Sequence, residues 1–184
     1  MRLPDPRRST VLTIGMGEYF DDSLPDLPTV LAGAEALGKA LTRPCIGAFP
    51  AESSTLLLNP SLAKLERELR GLEDFEDTVV LFYSGHGLID PRGELYLAVP
   101  DTDSSRVQTT ALPYDLVRQT MSRCRAKNRI VILDCCFSGR AIPGIMAAGS
   151  DDVFAAQASL RGVYVITATS PTAAAMAPVD ARFT

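Results

Sequence analysis

Short apolar runs alternate with helical stripes along this chain. Val11, Leu12 and Ile14 stand in a run over 10–17 that closes on Gly15 and Gly17, the pattern of a buried first strand. From Pro28, which suits a first helical turn, Val30, Leu31, Ala34, Leu37 and Leu41 recur at helical spacing until Pro44 bars continuation. A second strand is predicted at 53–58. Asn59 and Pro60 then predict the cap and first residue of a helix with Leu62, Leu65 and Leu69 as its stripe and Gly71 as its end. The third strand is predicted at 78–83, followed by a turn at Asp90-Pro91-Arg92-Gly93, a short strand at 94–99 and a polar loop at 100–105. A helix at 112–124, a fourth strand at 129–133 and a fifth at 163–168 complete the pattern. Residues 1–9, polar and proline-rich, read as a flexible arm; 140–150 reads as a mobile glycine- and alanine-rich stretch and 151–160 as a short helix.

Strands that alternate with helices predict an α/β domain over 10–184, with a mostly parallel sheet covered by helices on both faces. Sites in such folds lie at the carboxyl ends of the strands. Two predicted strands end in reactive groups. One runs into Ser84-Gly85-His86-Gly87, which contains the only histidine of the chain, and the other into Asp134-Cys135-Cys136-Phe137-Ser138-Gly139. The expectation is that His86 and the cysteines sit just past two strand ends, as base and nucleophile of a thiol mechanism. A thiolate attacks a carbonyl far better than a thiol, and an imidazole can take its proton and pass it to a leaving amine. The developing oxyanion needs backbone N–H donors; Gly87 and Cys136 are the candidates. Extended backbone turns Cys135 and Cys136 to opposite sides, and spacing alone does not choose between them.

Composition narrows the class. The chain has 184 residues, 46% hydrophobic and 22% charged, which suits one folded domain. A net charge of −4 argues against a general nucleic-acid partner, and the cluster Arg123, Arg125, Lys127 and Arg129 reads as a solvated turn. No apolar run has the length of a membrane span, and the first residues lack the apolar stretch of a signal peptide, so the cytoplasm is expected. Cys45 and Cys124 read as packing, no CxxC pair occurs, and no metal site is expected among Cys135, Cys136 and His86.

Tyr83-Ser84-Gly85-His86-Gly87 and Asp134-Cys135-Cys136-Phe137-Ser138-Gly139 together resemble the signature pair of the caspase-like cysteine peptidases, in the branch of metacaspases and related bacterial proteins. The segments 93–103 and 111–116 also resemble bacterial members, which are associated with effector modules of conflict systems. The resemblance implies a caspase-hemoglobinase-like three-layer sandwich. It makes Cys136 the nucleophile, Cys135 the variable position of the motif, and Asp134 with Ser84 the floor of a pocket for the residue before the scissile bond. A carboxylate there selects Arg or Lys. The implied function is a cysteine endopeptidase of a bacterial signalling or defence system, acting on protein or peptide substrates with a possible effector partner. The alternative is an inert caspase-like scaffold that recruits a partner; a redox sensor at the vicinal cysteines is the third reading. Two departures follow from the same resemblance. Glu35 stands near the position of a second acidic pocket residue, and the domain is expected to lack the last strand of the family fold. Calcium activation, known in the branch, would have Asp101 and Asp103 as its candidate ligands; a polar loop with two carboxylates is not by itself such a site, and no cofactor is expected.

Overall fold

A computed structural model describes residues 3–44, 47–137 and 162–167. Five strands form a parallel sheet in the order β2-β1-β3-β6-β7: β1 (Thr10–Gly15), β2 (Thr55–Leu58), β3 (Thr78–Ile89), β6 (Asn128–Phe137) and β7 (Tyr164–Thr167). The short strands β4 (Leu95–Leu97) and β5 (Leu112–Pro113) add an antiparallel extension alongside the far end of β3. The helices are α1 (Pro28–Thr42), α2 (Leu62–Gly71), α3 (Val107–Thr110) and α4 (Tyr114–Arg123).

The pleat divides the core between two faces. Leu12 and Ile14 of β1, Leu81 and Tyr83 of β3, and Val131 and Leu133 of β6 pack with Leu65 and Leu69 of α2 and Val117 and Met121 of α4. Residues of the other parity, Val11, Val80, Ile130 and Ile132, pack with Phe49 and with Leu41 of α1. Gly15 lets α1 come close, because a Cβ there would stand 2.8 Å from the Ala34 Cβ. Helices on both faces of a mostly parallel sheet are the architecture expected from the alternation of patterns.

The differences have local causes. Strands β3 and β6 run on to Ile89 and Phe137, past the predicted ends at 83 and 133, so His86 and Cys136 lie inside strands and not beyond them. The apolar pattern stops at Tyr83 and Leu133, but the two backbones go on pairing through Gly87↔Phe137, and main-chain pairing needs no apolar side chain. Asn59 does not cap α2. It takes φ 46°, its Oδ1 accepts the Gly17 and Glu18 N–H groups at 2.8 and 3.3 Å, and Ser61 is the cap instead, accepting from Lys64 N–H. The helix predicted from 112 begins at Tyr114, because Leu112 and Pro113 pair with β4. Within the segment expected to be a flexible arm, Pro6–Arg8 form a 3-10 turn, the Asp5 N–H donates to Asp77, and the Arg8 carbonyl accepts the Glu76 and Asp77 N–H groups. The expected mobile stretch at 140–150 and the helix at 151–160 lie outside the described residues.

Candidate active site

Strand β3 changes neighbours at the motif. Its last pairing with β1 is Gly15↔Ser84, and its first pairing with β4 is Gly87↔Leu97, so Gly85 and His86 bridge the gap. Only glycine fits at 85, where a Cβ would stand 2.8 Å from the Met16 Cβ and the Tyr83 hydroxyl and 2.9 Å from the Tyr19 hydroxyl. The His86 main chain is held on both sides of its Cα. Its N–H donates to the Tyr19 hydroxyl at 3.1 Å, and its carbonyl accepts the Ala98 N–H at 3.0 Å and stands 2.9 Å from the Tyr83 hydroxyl.

His86 is 6% exposed. Its Nε2 lies 2.8 Å from the Pro25 carbonyl oxygen. A carbonyl only accepts, so Nε2 carries the proton and Nδ1 is the unprotonated nitrogen of the neutral ring. Nδ1 is buried without a hydrogen-bond partner among the described residues. The Tyr19 ring lies against the imidazole, with centroids 4.8 Å apart and planes at 48°. Burial pushes the His86 pKa below the ordinary histidine value, and the bond to Pro25 opposes part of that push. The result is a neutral base near neutral pH with its free nitrogen already desolvated.

Across the ladder, His86 is in register with Cys136 and Ser84 with Asp134. Positions 84, 86, 134 and 136 therefore share one parity of the pleat. Asp134 is half-buried and its Oδ2 accepts the Ser84 hydroxyl at 2.9 Å, so these two predicted pocket residues do meet. Cys135 has the other parity and is 2% exposed in the main core. Ser138 and Gly139 lie outside the described residues. Cys124 is a buried thiol that donates to the Leu72 carbonyl at 3.2 Å, with its pKa raised by burial, and Cys45 lies outside the described residues. Among the described residues no three His, Cys, Asp or Glu side chains cluster as a metal site.

The loop between β1 and α1 belongs to this site, and the motifs do not point to it. Pro25 contributes only a carbonyl, which no residue type advertises, and Tyr19 is one aromatic in a polar run. The loop is fastened at several points. The Tyr19 N–H donates to Asp26 at 3.0 Å, the Phe20 N–H to the Pro100 carbonyl at 3.0 Å, and Asp21 accepts the Ser23 hydroxyl at 2.7 Å and the Ser104 N–H at 2.7 Å. Those bonds, from Ser23 first, hold the Asp21 carboxyl well below its usual range. Asp103 accepts from the Ser105 hydroxyl and from the Arg106 guanidinium at 2.8 Å, so its carboxylate organises its own turn. Glu35 pairs with Lys39 at 2.8 Å on the outside of α1.

A family model described as the caspase domain matches residues 8–181. The chain belongs to the caspase-domain family. Members of this family are cysteine peptidases. Among solved structures, the caspase-domain chain is similar to caspase-1 from Spodoptera frugiperda, with a TM-score of 0.53 and 14% identity, covering 73% of this chain and 50% of that one. A structure titled pro-sf-caspase-1 aligns with a TM-score of 0.48 and 16% identity, covering 77% of this chain and 56% of that one. The first likeness shows a shared fold; the chain spans about half the length of these caspase structures. No curated protein sequence matches it. Among the described residues no helix is long and apolar enough to cross a membrane.

Proposed function

We propose that this caspase-domain chain is a cysteine endopeptidase that cuts after Arg or Lys, with Cys136 as nucleophile and His86 as base. The observation that carries the reading is the register of His86 with Cys136 on adjacent parallel strands, together with the Pro25 carbonyl that leaves Nδ1 unprotonated. In this reaction Nδ1 takes the thiol proton, the sulfur bonds to the scissile carbonyl carbon, and the proton passes to the departing amine. Water then hydrolyses the thioester with the same imidazole as base.

The amides of Gly87 and Cys136 are the proposed oxyanion donors. The His86 N–H points to the β1 side of β3, so by alternation the Gly87 N–H points toward the strand that carries Cys136. A parallel ladder in this register pairs both amides with carbonyls of the neighbouring strand. The proposal therefore requires that end of the β3–β6 ladder to part when a substrate carbonyl enters. Asp134, steadied by the Ser84 hydroxyl, is the proposed partner of a basic side chain. We place the enzyme in a bacterial signalling or defence system on the resemblance of 93–103 and 111–116 to bacterial members, and in the cytoplasm on its sequence pattern, which shows neither a signal-peptide stretch nor an apolar run of membrane-span length.

Cleavage of an Arg-ended fluorogenic peptide tests the reading. Cys136→Ala abolishes turnover, whereas Cys135→Ala keeps most of it and costs about 1 kcal/mol of stability as a buried thiol. Equal loss of activity from both substitutions removes the nucleophile assignment, and no turnover by the parent chain favours the scaffold reading. Asp134→Asn lowers kcat/KM for Arg- and Lys-ended peptides about tenfold or more while the fold is kept. A preference for Asp-ended peptides would sink the pocket assignment.

A further inference from the structure

We propose that Tyr19 is a positioning residue of this site: its hydroxyl, spliced into the sheet between His86 and Met16, opens β1 from β3 and sets the imidazole against the Pro25 carbonyl. The inference rests on the peptidase reading for its effect on turnover, but its geometry stands apart from it. In a parallel ladder the bonds between two strands recur regularly. The Met16 N–H donates to the Ser84 carbonyl at 2.9 Å, so the next rung would join the His86 N–H directly to the Met16 carbonyl. That rung is replaced by two bonds. The His86 N–H donates to the Tyr19 hydroxyl at 3.1 Å, and the hydroxyl donates to the Met16 carbonyl at 2.9 Å. The directions are fixed, because an amide only donates and a carbonyl only accepts.

The inserted hydroxyl pushes the two strands apart by one oxygen at the residue whose side chain faces Pro25. The Tyr19 ring then covers the imidazole at 4.8 Å. Asp26, next to Pro25 in the chain, accepts the Tyr19 N–H at 3.0 Å, so one closed loop holds His86 by its main chain and by its ring. Without the hydroxyl the ladder can close, His86 moves toward β1, and the imidazole leaves its place. Displacements of about 1 Å at a reacting group cost up to about a hundredfold in rate.

The test is Tyr19→Phe, which keeps the ring and deletes only the hydroxyl. Asp26→Ala is the second variant, an exposed change that loosens the same loop. His86 is the only histidine, so nitrogen NMR of histidine-labelled protein reports its amide and ring without ambiguity. In Tyr19→Phe the His86 amide and ring signals shift, and kcat falls about tenfold or more while KM stays within about twofold. Asp26→Ala moves the same signals the same way by less, and it decides the matter if Tyr19→Phe does not fold. Unshifted His86 signals, or an unchanged kcat in an active enzyme, overturn the proposal. If the parent chain cleaves no Arg-ended peptide, the peptidase reading fails by itself, and the NMR signals alone decide the positioning role in either direction.

Discussion

At His86, burial and one hydrogen bond pull the imidazole in opposite directions, and burial wins: its pKa lies below the ordinary histidine value. The sign of the pH dependence follows. Between the depressed folded pKa and the ordinary unfolded one, the unfolded chain binds more protons, so stability is full above that window and falls as pH drops through it. Thermal melts from about pH 8 down to about pH 5 should show a falling Tm that flattens in His86→Gln. The acid limb of kcat/KM should lie below the ordinary histidine value, because proton abstraction needs the neutral ring. A limb at or above that value would mean that the imidazole is not desolvated in the working enzyme. Ser84 and Asp134 add a second lesson at this scale. Their residue types alone are compatible with a cap or a solvated pair, and it is the 2.9 Å bond between them on adjacent strands that makes one polar unit.

Among the elements, β3 does the most to build the site, because it outlasts its first partner. It pairs with β1 to Ser84, resumes with β4 at Gly87, and stays in register with β6 from Thr78 to Gly87. The crossing point depends on Gly85, whose Cβ position is hemmed in by Met16, Tyr83 and Tyr19. Gly85→Ala should destabilise the fold by about 2 kcal/mol or more in urea unfolding, and lower activity beyond what the folded fraction explains. A neutral result would show that the β1 loop yields easily, contrary to its many anchors. The loop itself was not legible in the sequence as part of a site. Its contributions are a main-chain carbonyl at Pro25 and a hydroxyl at Tyr19, and it is anchored by the Asn59 side chain, which accepts from Gly17 and Glu18, 42 and 41 residues away. The apolar periodicity that located β1, α1 and α2 carries no information about such polar, long-range bonds. Asn59 before Pro60 satisfies the local rule for a helix cap, but in the fold its side chain serves Gly17 and Glu18 and Ser61 caps α2.

For the whole molecule, the sheet gathers distant segments and the first residues lock onto the residues that lead into β3. Asp77, 3% exposed, accepts the Asp5 N–H at 2.8 Å, and the Arg8 carbonyl receives two N–H groups from Glu76 and Asp77. Asp77→Ala should cost about 2 kcal/mol by leaving the part-buried Asp5 N–H unpaired, and should expose 3–9 to proteolysis. Unchanged protease resistance of that segment would show that the backbone bonds suffice. Much of this architecture could be read from the chain alone: the alternation of apolar runs and stripes dictates a parallel sheet covered on two faces, since each pattern can bury its apolar side in only one way. The two motifs, each following a buried run, likewise mark His86 and the vicinal cysteines before any fold is known. What folding added is pairing across 50 residues of sequence, which brings Ser84 to Asp134 and puts the backbones of His86 and Cys136 side by side. It also added the proton's place on the imidazole, set by a proline carbonyl. Strand pairing is indifferent to residue type and a main-chain carbonyl carries no side-chain mark, so neither the register nor the Pro25 contact could be read from a pattern of side chains.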